Sequence, residues 1–427
     1  MRKLVLAGGL AMAMAGLATT PGLAQEPVTL TYLTSQGWSL DAHQALAEKF
    51  KQETGITIDT QIVPADQYAS VLKAKLNSGE GPDIFGSQSG GTEFLNYNVE
   101  KTAVDLSGEA WAKLEDPLVA AQATVNGKLY GLTFWDSLGL VWVVNYSKPI
   151  FAKYGLTVPK TYEDLKGTCK TLLDNGIQPI FEPFSNGWHH VLWFAEVGPR
   201  YEQVKPGLAA QLNANKATFA GNETMRANLT EFKELYDLGC MGPNALSDSW
   251  ADNTKMLGTG AAAMVVAPLA FPMAVKRDYP DFNPDDVGFF VMPLSDNQIL
   301  NVNPAGPTML IYQNSPHIAE AKKYFDFLTR PENIQFFLDN APEALTMPFP
   351  NVKDKFSPAQ KAFMEAYKDN RGTVYQTAVT YVVPQWMDMG KDMTALVTEA
   401  MSPDDVLDSI DKRRAELAAA ARDPAWK

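Results

Sequence analysis

The sequence predicts an α/β protein that is divided into two lobes. Strand and helix patterns alternate along the chain from Val28 onward, and 427 residues are more than one hydrophobic core usually supports. No Pro/Gly/Ser-rich linker separates two independent domains, so we expect the chain to cross between the lobes more than once. The repeated βαβ pattern predicts a largely parallel sheet with helices on both faces.

The chain begins with a pattern typical of a secretory signal peptide. Arg2 and Lys3 precede the uncharged run 4–18, and small residues follow up to Ala24. This arrangement predicts cleavage after residue 24, and the apolar run is shorter than the roughly 20 residues that span a bilayer. Because no cysteine directly follows this run, we expect a mature protein that is periplasmic and has no lipid anchor.

Two βα units follow the signal peptide. Residues 28–33 alternate as in a strand, and apolar residues recur at helical spacing over 42–50 until Gly55 ends the helix. A second strand over 56–62 and a second amphipathic helix over 68–76 repeat the arrangement.

A third short strand begins at Pro82. Ligands bind at the carboxyl ends of the strands in such sheets. We therefore expect ligand contacts in the loops 35–39 and 86–91.

The later elements indicate how the two lobes are interleaved. An apolar strand over 140–145 opens a second region, and strand patterns return at 287–293 and 301–312. Helical spacing resumes at Ile318, and an amphipathic helix over 404–421 ends the chain. We expect residues 25–134 and 288–344 to form the N-terminal lobe, and residues 135–287 and 345–427 to form the C-terminal lobe.

Charge and motifs exclude several functions. The formal net charge is −13, which disfavours nucleic acid as a partner because phosphate binding requires a basic surface. The sequence contains no G-x-S-x-G, H-E-x-x-H, P-loop or dinucleotide-binding motif, so no catalytic residue, metal or cofactor is predicted. Cys169 and Cys240 are the only cysteines; a disulfide between them and two buried thiols both remain open.

Several segments together resemble the family 1 extracellular solute-binding proteins of bacterial ABC importers, the maltose-binding-protein-like group that takes up carbohydrates. They occur in the family's order and cover most of the chain. The segments are 42–58, 81–85, 126–132, 144–165, 256–264 and 321–332. The resemblance implies the two-lobed periplasmic-binding-protein fold, in which discontinuous lobes are joined by hinge strands and the ligand cleft lies between them.

The resemblance and the strand ends together nominate the ligand-binding residues. In this family a Glu-Pro-Tyr-x-x-Trp segment lines the sugar cleft, and the similar stretch here is 182–188, with phenylalanine in place of tyrosine and one residue inserted. The candidates are Gln36, Trp38, Asp83, Ser87, Gln88, Trp135, Asp136, Glu182, Phe184, Trp188, Trp250, Phe271, Asn303 and Trp386. We assign Trp142, which lies inside an apolar strand, to the core.

These residue types suit a carbohydrate. Flat aromatic rings cover the apolar faces of a sugar ring, and planar polar groups accept or donate hydrogen bonds at its edge. Asp136 and Glu182 are expected to bind hydroxyl groups and not to act as an acid and base pair. The resemblance also implies a monomer that delivers its ligand to an inner-membrane permease with an ATPase; a non-sugar ligand such as a glycerol phosphate ester is the alternative.

Overall fold

The computed structural model describes residues 28–137, 139, 141–342 and 344–426. The predicted signal peptide, 1–24, lies outside these residues. No helix within the described ranges has both the length and the apolar character needed to cross a bilayer.

The strands and helices alternate much as the sequence predicts. The strands are β1 (Thr29–Ser35), β2 (Thr57–Val63), β3 (Ile84–Gln88), β4 (Thr124–Val125), β5 (Lys128–Leu129), β6 (Gly131–Leu132), β7 (Trp142–Ser147), β8 (Gln178–Phe181), β9 (Ala262–Pro268), β10 (Val287–Phe290), β11 (Leu300–Val302), β12 (Pro307–Ile311) and β13 (Arg371–Thr373). The helices are α1 (Asp41–Thr54), α2 (Ala65–Ser78), α3 (Gly91–Asn96), α4 (Val99–Thr102), α5 (Pro117–Gln122), α6 (Lys148–Lys153), α7 (Tyr162–Asp174), α8 (Leu192–Ala195), α9 (Gly198–Val204), α10 (Leu208–Asn213), α11 (Glu223–Asp237), α12 (Asn253–Gly258), α13 (Phe271–Asp278), α14 (Ile318–Leu328), α15 (Pro331–Asn340), α16 (Pro358–Ala366), α17 (Tyr375–Ala378), α18 (Trp386–Val397) and α19 (Pro403–Ala421).

The sheet of the first lobe has the order β2-β1-β3-β12-β6. β1 pairs in parallel with β2 and with β3, whereas β12 is antiparallel to both β3 and β6. The sheet is therefore mixed, and the prediction of a largely parallel sheet holds only for its first half. β12 runs in the opposite direction because the chain returns to this sheet from the second lobe.

The sheet of the second lobe has the order β10-β7-β9-β8. Only β8 and β9 are parallel, and β7 runs antiparallel to both of its neighbours. Because β10 at 287–290 pairs with β7, the prediction that the first lobe resumes at residue 288 is corrected. The chain leaves the second sheet only after β10.

Each sheet is packed into its own hydrophobic core. Buried side chains of the first core include Phe50, Phe85 and Phe337, and those of the second include Trp193 and Phe232. The two cysteines are free thiols buried in this second core.

Two buried carboxyl groups hold the segment 133–141, where the chain first crosses between the lobes. Asp136 Oδ1 accepts a hydrogen bond from Gly139 N at 2.7 Å, and its Oδ2 accepts one from Leu345 N at 2.6 Å. Burial raises the pKa of Asp136 to about 6, although these backbone N–H groups oppose the rise. Asp136 thus ties the first crossing segment to the backbone at Leu345.

Glu115 holds the start of the same crossing segment. Its Oε1 accepts a hydrogen bond from Thr133 N at 3.0 Å, while its buried Oε2 has no hydrogen-bond partner among the described residues. Burial raises the pKa of Glu115 to about 8. The folded protein therefore binds a proton here that the unfolded chain releases at lower pH.

Replacing Glu115 should alter how stability depends on pH. Folding raises the pKa of Glu115, so the protonated side chain favours the folded state. This contribution to the free energy of unfolding is present at low pH and is lost as pH rises through about 8. Glu115→Gln stays neutral, so at pH 9 its free energy of unfolding should exceed that of the original chain by about 1 to 3 kcal/mol. Urea unfolding from pH 5 to 9 measures this difference, which should disappear near pH 5.

Glu48 on α1 is exposed, and Glu48→Gln is the matched control. It should not change stability by more than about 0.5 kcal/mol at any of these pH values. A difference between Glu115→Gln and the original chain that is the same at pH 5 and pH 9 would show that Glu115 is not the titrating group.

Candidate ligand-binding site

The crossing segments join particular edges of the two sheets. In the first sheet β1, β3 and β6 end, and β12 begins, at the edge from which residues 133–141 leave. In the second sheet β8 and β9 end, and β7 begins, at the edge that this segment reaches. The gap between these two edges is the candidate site.

Trp38 lies at the edge of the first sheet. It is half-buried and meets the ring of Tyr68 edge to face, with the ring centroids 5.2 Å apart. An added Cβ at Gly86 would lie 3.2 Å from the indole, so glycine at this position leaves room for the ring. The Tyr68 hydroxyl donates to Gly86 O at 2.6 Å and to Leu33 O at 3.1 Å, which holds Tyr68 beneath Trp38.

Trp135 lies near the same edge of the first sheet as Trp38, at the start of the first crossing segment. It is half-buried and stacks on His43, with centroids 6.0 Å apart and an interplanar angle of 14°. His43 Nδ1 accepts a hydrogen bond from Leu40 N at 3.1 Å, and burial lowers the pKa of His43 to about 4. A neutral imidazole therefore supports Trp135.

Three tryptophans meet at the edge of the second sheet. Trp142, Trp188 and Trp250, hereafter the tryptophan cluster, are half-buried and lie with their ring centroids 5.6 to 5.8 Å apart. Trp142 was assigned to the core from sequence; it packs against the core of the second lobe but is only half-buried there. Its position as the first residue of β7, directly after the crossing segment, is the signal that identifies it as an edge residue.

Trp386 is held next to the tryptophan cluster by the close approach of α18. Its Nε1 donates to Trp188 O at 3.0 Å. An added Cβ at Gly390 would lie only 1.7 Å from Gly187 O, so only glycine lets α18 come this close. Residues 383–385, just before α18, also lie next to α3 of the first lobe.

Glu182 and His189 lie beneath the tryptophan cluster. Both side chains are fully buried, and Glu182 Oε1 is 2.5 Å from His189 Nδ1. Glu182 Oε2 accepts a hydrogen bond from Trp193 Nε1 at 2.7 Å. With both oxygens occupied and no exposure, Glu182 is not available to a ligand, and we remove it from the predicted contacts. His189 was not predicted as a site residue.

Asp83 also forms its hydrogen bonds within the protein. It precedes β3, at the end opposite to the gap, and is 8% exposed. Its Oδ2 accepts from Thr31 N at 2.8 Å and from Thr31 Oγ1 at 2.9 Å, and its Oδ1 accepts from Ser315 Oγ at 2.5 Å. The side chain fastens β3 to β1 and to the loop after β12, and it is withdrawn as a ligand contact.

Other predicted contacts are likewise turned inward. Ser87 is fully buried and donates to Gln88 O, and Phe184 stacks on His190 with centroids 4.3 Å apart. Phe271 is buried in a small core of the second lobe. Asn303 is half-buried, and its Oδ1 accepts from Thr377 Oγ1 at 2.6 Å. Asp136, fixed by backbone N–H groups as described above, belongs with these structural residues.

The remaining candidates lie at the gap edges with side chains not fully buried. Gln36 is exposed and Gln88, at the end of β3, is half-buried. These two glutamines supply amide groups from the first lobe. The tryptophans supply flat rings from both lobes. The gap residues are Gln36, Trp38, Gln88, Trp135, Trp142, Trp188, Trp250 and Trp386.

Two surface cavities lie away from this gap. They have volumes of about 420 and 260 Å³ and include Gly258, Phe282 and Asp286 in their walls. Ser147 and Val287, which also line the smaller cavity, mark the end of β7 and the start of β10. Both cavities therefore lie at the end of the second sheet that faces away from the crossing segments.

Removing Asp83 should destabilise the protein. Asp83→Ala breaks the three hydrogen bonds that link β3 to Thr31 and Ser315, and hydrogen bonds to a charged group contribute about 1.5 to 3 kcal/mol each. We expect the free energy of unfolding to fall by about 3 kcal/mol in urea unfolding at pH 7. Asp59 is exposed on β2, and Asp59→Ala, the control, should change the free energy of unfolding by less than about 0.5 kcal/mol. Equal effects of the two substitutions would contradict the structural role of Asp83.

Comparisons with known proteins agree with this architecture. The melibiose/raffinose/stachyose-binding protein MelE of Bacillus subtilis (strain 168) is 24% identical over 396 residues, which are 90% of this chain and 88% of the relative. A solved chitin oligosaccharide binding protein shares the fold with a TM-score of 0.77 at 20% identity, covering 92% of this chain and 100% of its own.

A sugar transporter from Bacillus licheniformis, solved in complex with stachyose, has a TM-score of 0.74 at 17% identity, covering 91% of this chain and 100% of its own. The sequence profile described as bacterial extracellular solute-binding protein matches residues 37–335. This match spans both lobes and more than half of the chain. The chain therefore belongs to the bacterial extracellular solute-binding protein family.

Proposed function

We propose that the protein captures a carbohydrate, an oligosaccharide or a sugar derivative, in the gap between its two lobes. The observation that carries this proposal is the position of half-buried tryptophans at both edges of the gap. Trp38 and Trp135 belong to the first edge, and the tryptophan cluster with Trp386 belongs to the second.

Indole rings at both edges match the chemistry of a sugar ring. The faces of a pyranose carry C–H groups, which are apolar, and its rim carries hydroxyl groups. By analogy with aromatic pairs, each stacked ring contributes about 1 kcal/mol beyond the area that it buries. Several such contacts together with hydrogen bonds reach micromolar affinity, which suits a receptor that must release its ligand.

The names of the relatives support a carbohydrate as the ligand. One relative binds melibiose, raffinose and stachyose, and two similar structures are described by chitin oligosaccharide binding and by bound stachyose. As a member of a solute-binding family, the chain is a binding protein and not an enzyme. The buried hydrogen bonds of Asp136 and Glu182 agree with this, because neither carboxyl group faces the gap.

Capture is expected to proceed by hinge closure. A ligand shifts the balance between open and closed forms by the contacts that it makes only in the closed form. We propose that the hinge consists of residues 133–141, 303–306 and 350–357, so that the first lobe comprises 28–132 and 307–349. Asp136, in the first of these segments, also accepts a hydrogen bond from Leu345 N, shortly before the third segment, which favours movement of these two segments as one unit.

The family supports the wider transport role. Extracellular solute-binding proteins present their ligand outside the cytoplasmic membrane, so we infer a periplasmic monomer that delivers the sugar to the permease subunits of an ABC importer with their ATPase. The signal peptide predicted at 1–24 supports this compartment.

A panel of sugars should identify the ligand. The mature chain is heated with raffinose, stachyose, melibiose, chitin oligosaccharides and xylo-oligosaccharides, and its melting temperature is followed. A ligand at 100 times its dissociation constant adds about 2.7 kcal/mol to the stability, and for a domain of 150 to 250 residues each kcal/mol corresponds to about 2 to 4 °C. We expect at least one saccharide to raise the melting temperature by about 5 °C or more.

Glycerol 3-phosphate, betaine and free amino acids serve as the opposing arm of the same panel. If one of them raises the melting temperature and no saccharide does, the carbohydrate proposal is wrong and the alternative of a non-sugar ligand replaces it.

Replacing an indole of the tryptophan cluster should weaken binding of that saccharide. Trp250→Phe keeps an aromatic ring but removes part of the stacking surface, so we expect a loss of about 1 kcal/mol, or about fivefold in the dissociation constant. Isothermal titration calorimetry measures the change. Trp111 is buried in the first core, away from the gap. Trp111→Phe is the matched control and should leave the dissociation constant unchanged. A fivefold loss of affinity in both variants would contradict a direct contact between Trp250 and the saccharide.

A further inference from the structure

The two nitrogens of the His189 ring both face hydrogen-bond acceptors. Nδ1 is 2.5 Å from Glu182 Oε1, and Nε2 is 3.0 Å from Val266 O. A backbone carbonyl oxygen can only accept, so Nε2 must carry a proton. Glu182 Oε2 accepts from the indole N–H of Trp193 at 2.7 Å, which leaves Oε1 to face His189 Nδ1. A neutral imidazole has only one N–H, so with an ionised Glu182 it cannot donate to both acceptors.

We propose that His189 is an imidazolium, paired with Glu182, that acts as a positioning residue for the tryptophan cluster. Its two N–H groups are directed to two different elements, Val266 of β9 and Glu182 after β8. The ring therefore cannot turn without breaking one of two buried hydrogen bonds. Through this ring the orientation of the cluster is tied to the sheet.

The cluster surrounds the proposed cation. The His189 ring stacks on Trp250 with centroids 4.8 Å apart and an interplanar angle of 27°, and its centroid lies 5.1 Å from that of Trp188 and 5.9 Å from that of Trp142. All three distances fall within the roughly 6 Å over which a cation is attracted to an aromatic ring. One buried charge thus lies within this range of three indoles and limits the directions in which they can face.

The position of His189 also bears on the ligand, and this step rests on the proposed carbohydrate function. Aromatic cages recognise quaternary ammonium groups by surrounding the cation with ring faces. Here the place that all three rings approach is taken by the protein's own imidazole. We infer that the cluster presents pre-set outer surfaces to an uncharged sugar ring and does not enclose a cationic head group.

Two other buried histidines provide internal references. His190, the next residue, has Nε2 2.7 Å from Gly390 O, and its buried Nδ1 has no partner among the described residues. His43 accepts a hydrogen bond at Nδ1 from Leu40 N. Each therefore needs only one N–H, and burial lowers the pKa of both, that of His43 to about 4. The structure thus contains two neutral histidines against which His189 can be compared.

Nitrogen NMR of the full mature chain without ligand tests the proposal. In protein labelled with ¹⁵N-histidine, long-range ¹H–¹⁵N spectra distinguish protonated from bare ring nitrogens. From pH 6.5 to 8.5 we expect His189 to keep both nitrogens protonated, while His43 and His190 each show one bare nitrogen. His189→Phe assigns the signals. A bare nitrogen on His189 at neutral pH, with the proton on Glu182 or absent, overturns the proposal.

Glu182→Gln provides the second measurement. The glutamine can accept from Trp193 and donate to His189 Nδ1, so His189 should lose one N–H. The near-ultraviolet circular dichroism of the tryptophans should change with it, because the attraction to the cation is lost. The matched control is Glu196→Gln, a buried carboxyl group of the same lobe that bonds to Gln376 and Asn301. It should leave both His189 signals and the tryptophan spectrum unchanged.

Both measurements are made without ligand, so they remain valid if the sugar panel gives no binder. If Glu182→Gln does not fold, the spectrum of the original chain decides the charge of His189 by itself. If the variant folds and His189 keeps both N–H groups, or the tryptophan spectrum is unchanged, Glu182 and His189 do not position the cluster.

Discussion

The structure depends on where the chain crosses from one sheet to the other. The crossing segment 133–141 leaves an edge where β1 and β3 end and reaches an edge where β7 begins. Residues that follow or precede these strands therefore lie at the edges of the gap, and burial decides which of their side chains face it. Asp136 fixes this geometry, because its two oxygens bind backbone N–H groups of both the first crossing segment and the segment near Leu345.

Buried polar groups in this protein serve the scaffold more than the ligand. Burying a carboxyl group without hydrogen bonds is costly, and Asp83, Asp136 and Glu182 all form such bonds within the chain. Each stands in a segment that looks suited to ligand binding. Their hydrogen bonds instead hold the strands, the hinge and the base of the tryptophan cluster, which leaves the aromatic rings as the main surface at the gap.

Aromatic rings at an open gap must be held in place before a ligand arrives, since ordering side chains on binding reduces affinity. Different supports fulfil this role in the two lobes. Trp38 rests on Tyr68 and Trp135 on a neutral His43, whereas the cluster rests on the His189 and Glu182 pair. Trp386 is placed by the approach of Gly390 to Gly187, where no side chain fits.

The sequence by itself determined the succession of strands and helices and the end of α1 at Gly55, where φ is 76°, and it nominated Trp38, Trp135, Trp188 and Trp386 as candidate contacts. These features are local, because apolar spacing and glycine conformations are set by neighbours in the chain. Only the tertiary structure decided the direction of β12, the inclusion of β10 in the second sheet, the partial burial of Trp142 and the burial of Asp83 and Glu182. Strand pairing and hydrogen-bond partners far apart in sequence depend on which elements meet in space, and a single chain's pattern of residue types does not specify those partners.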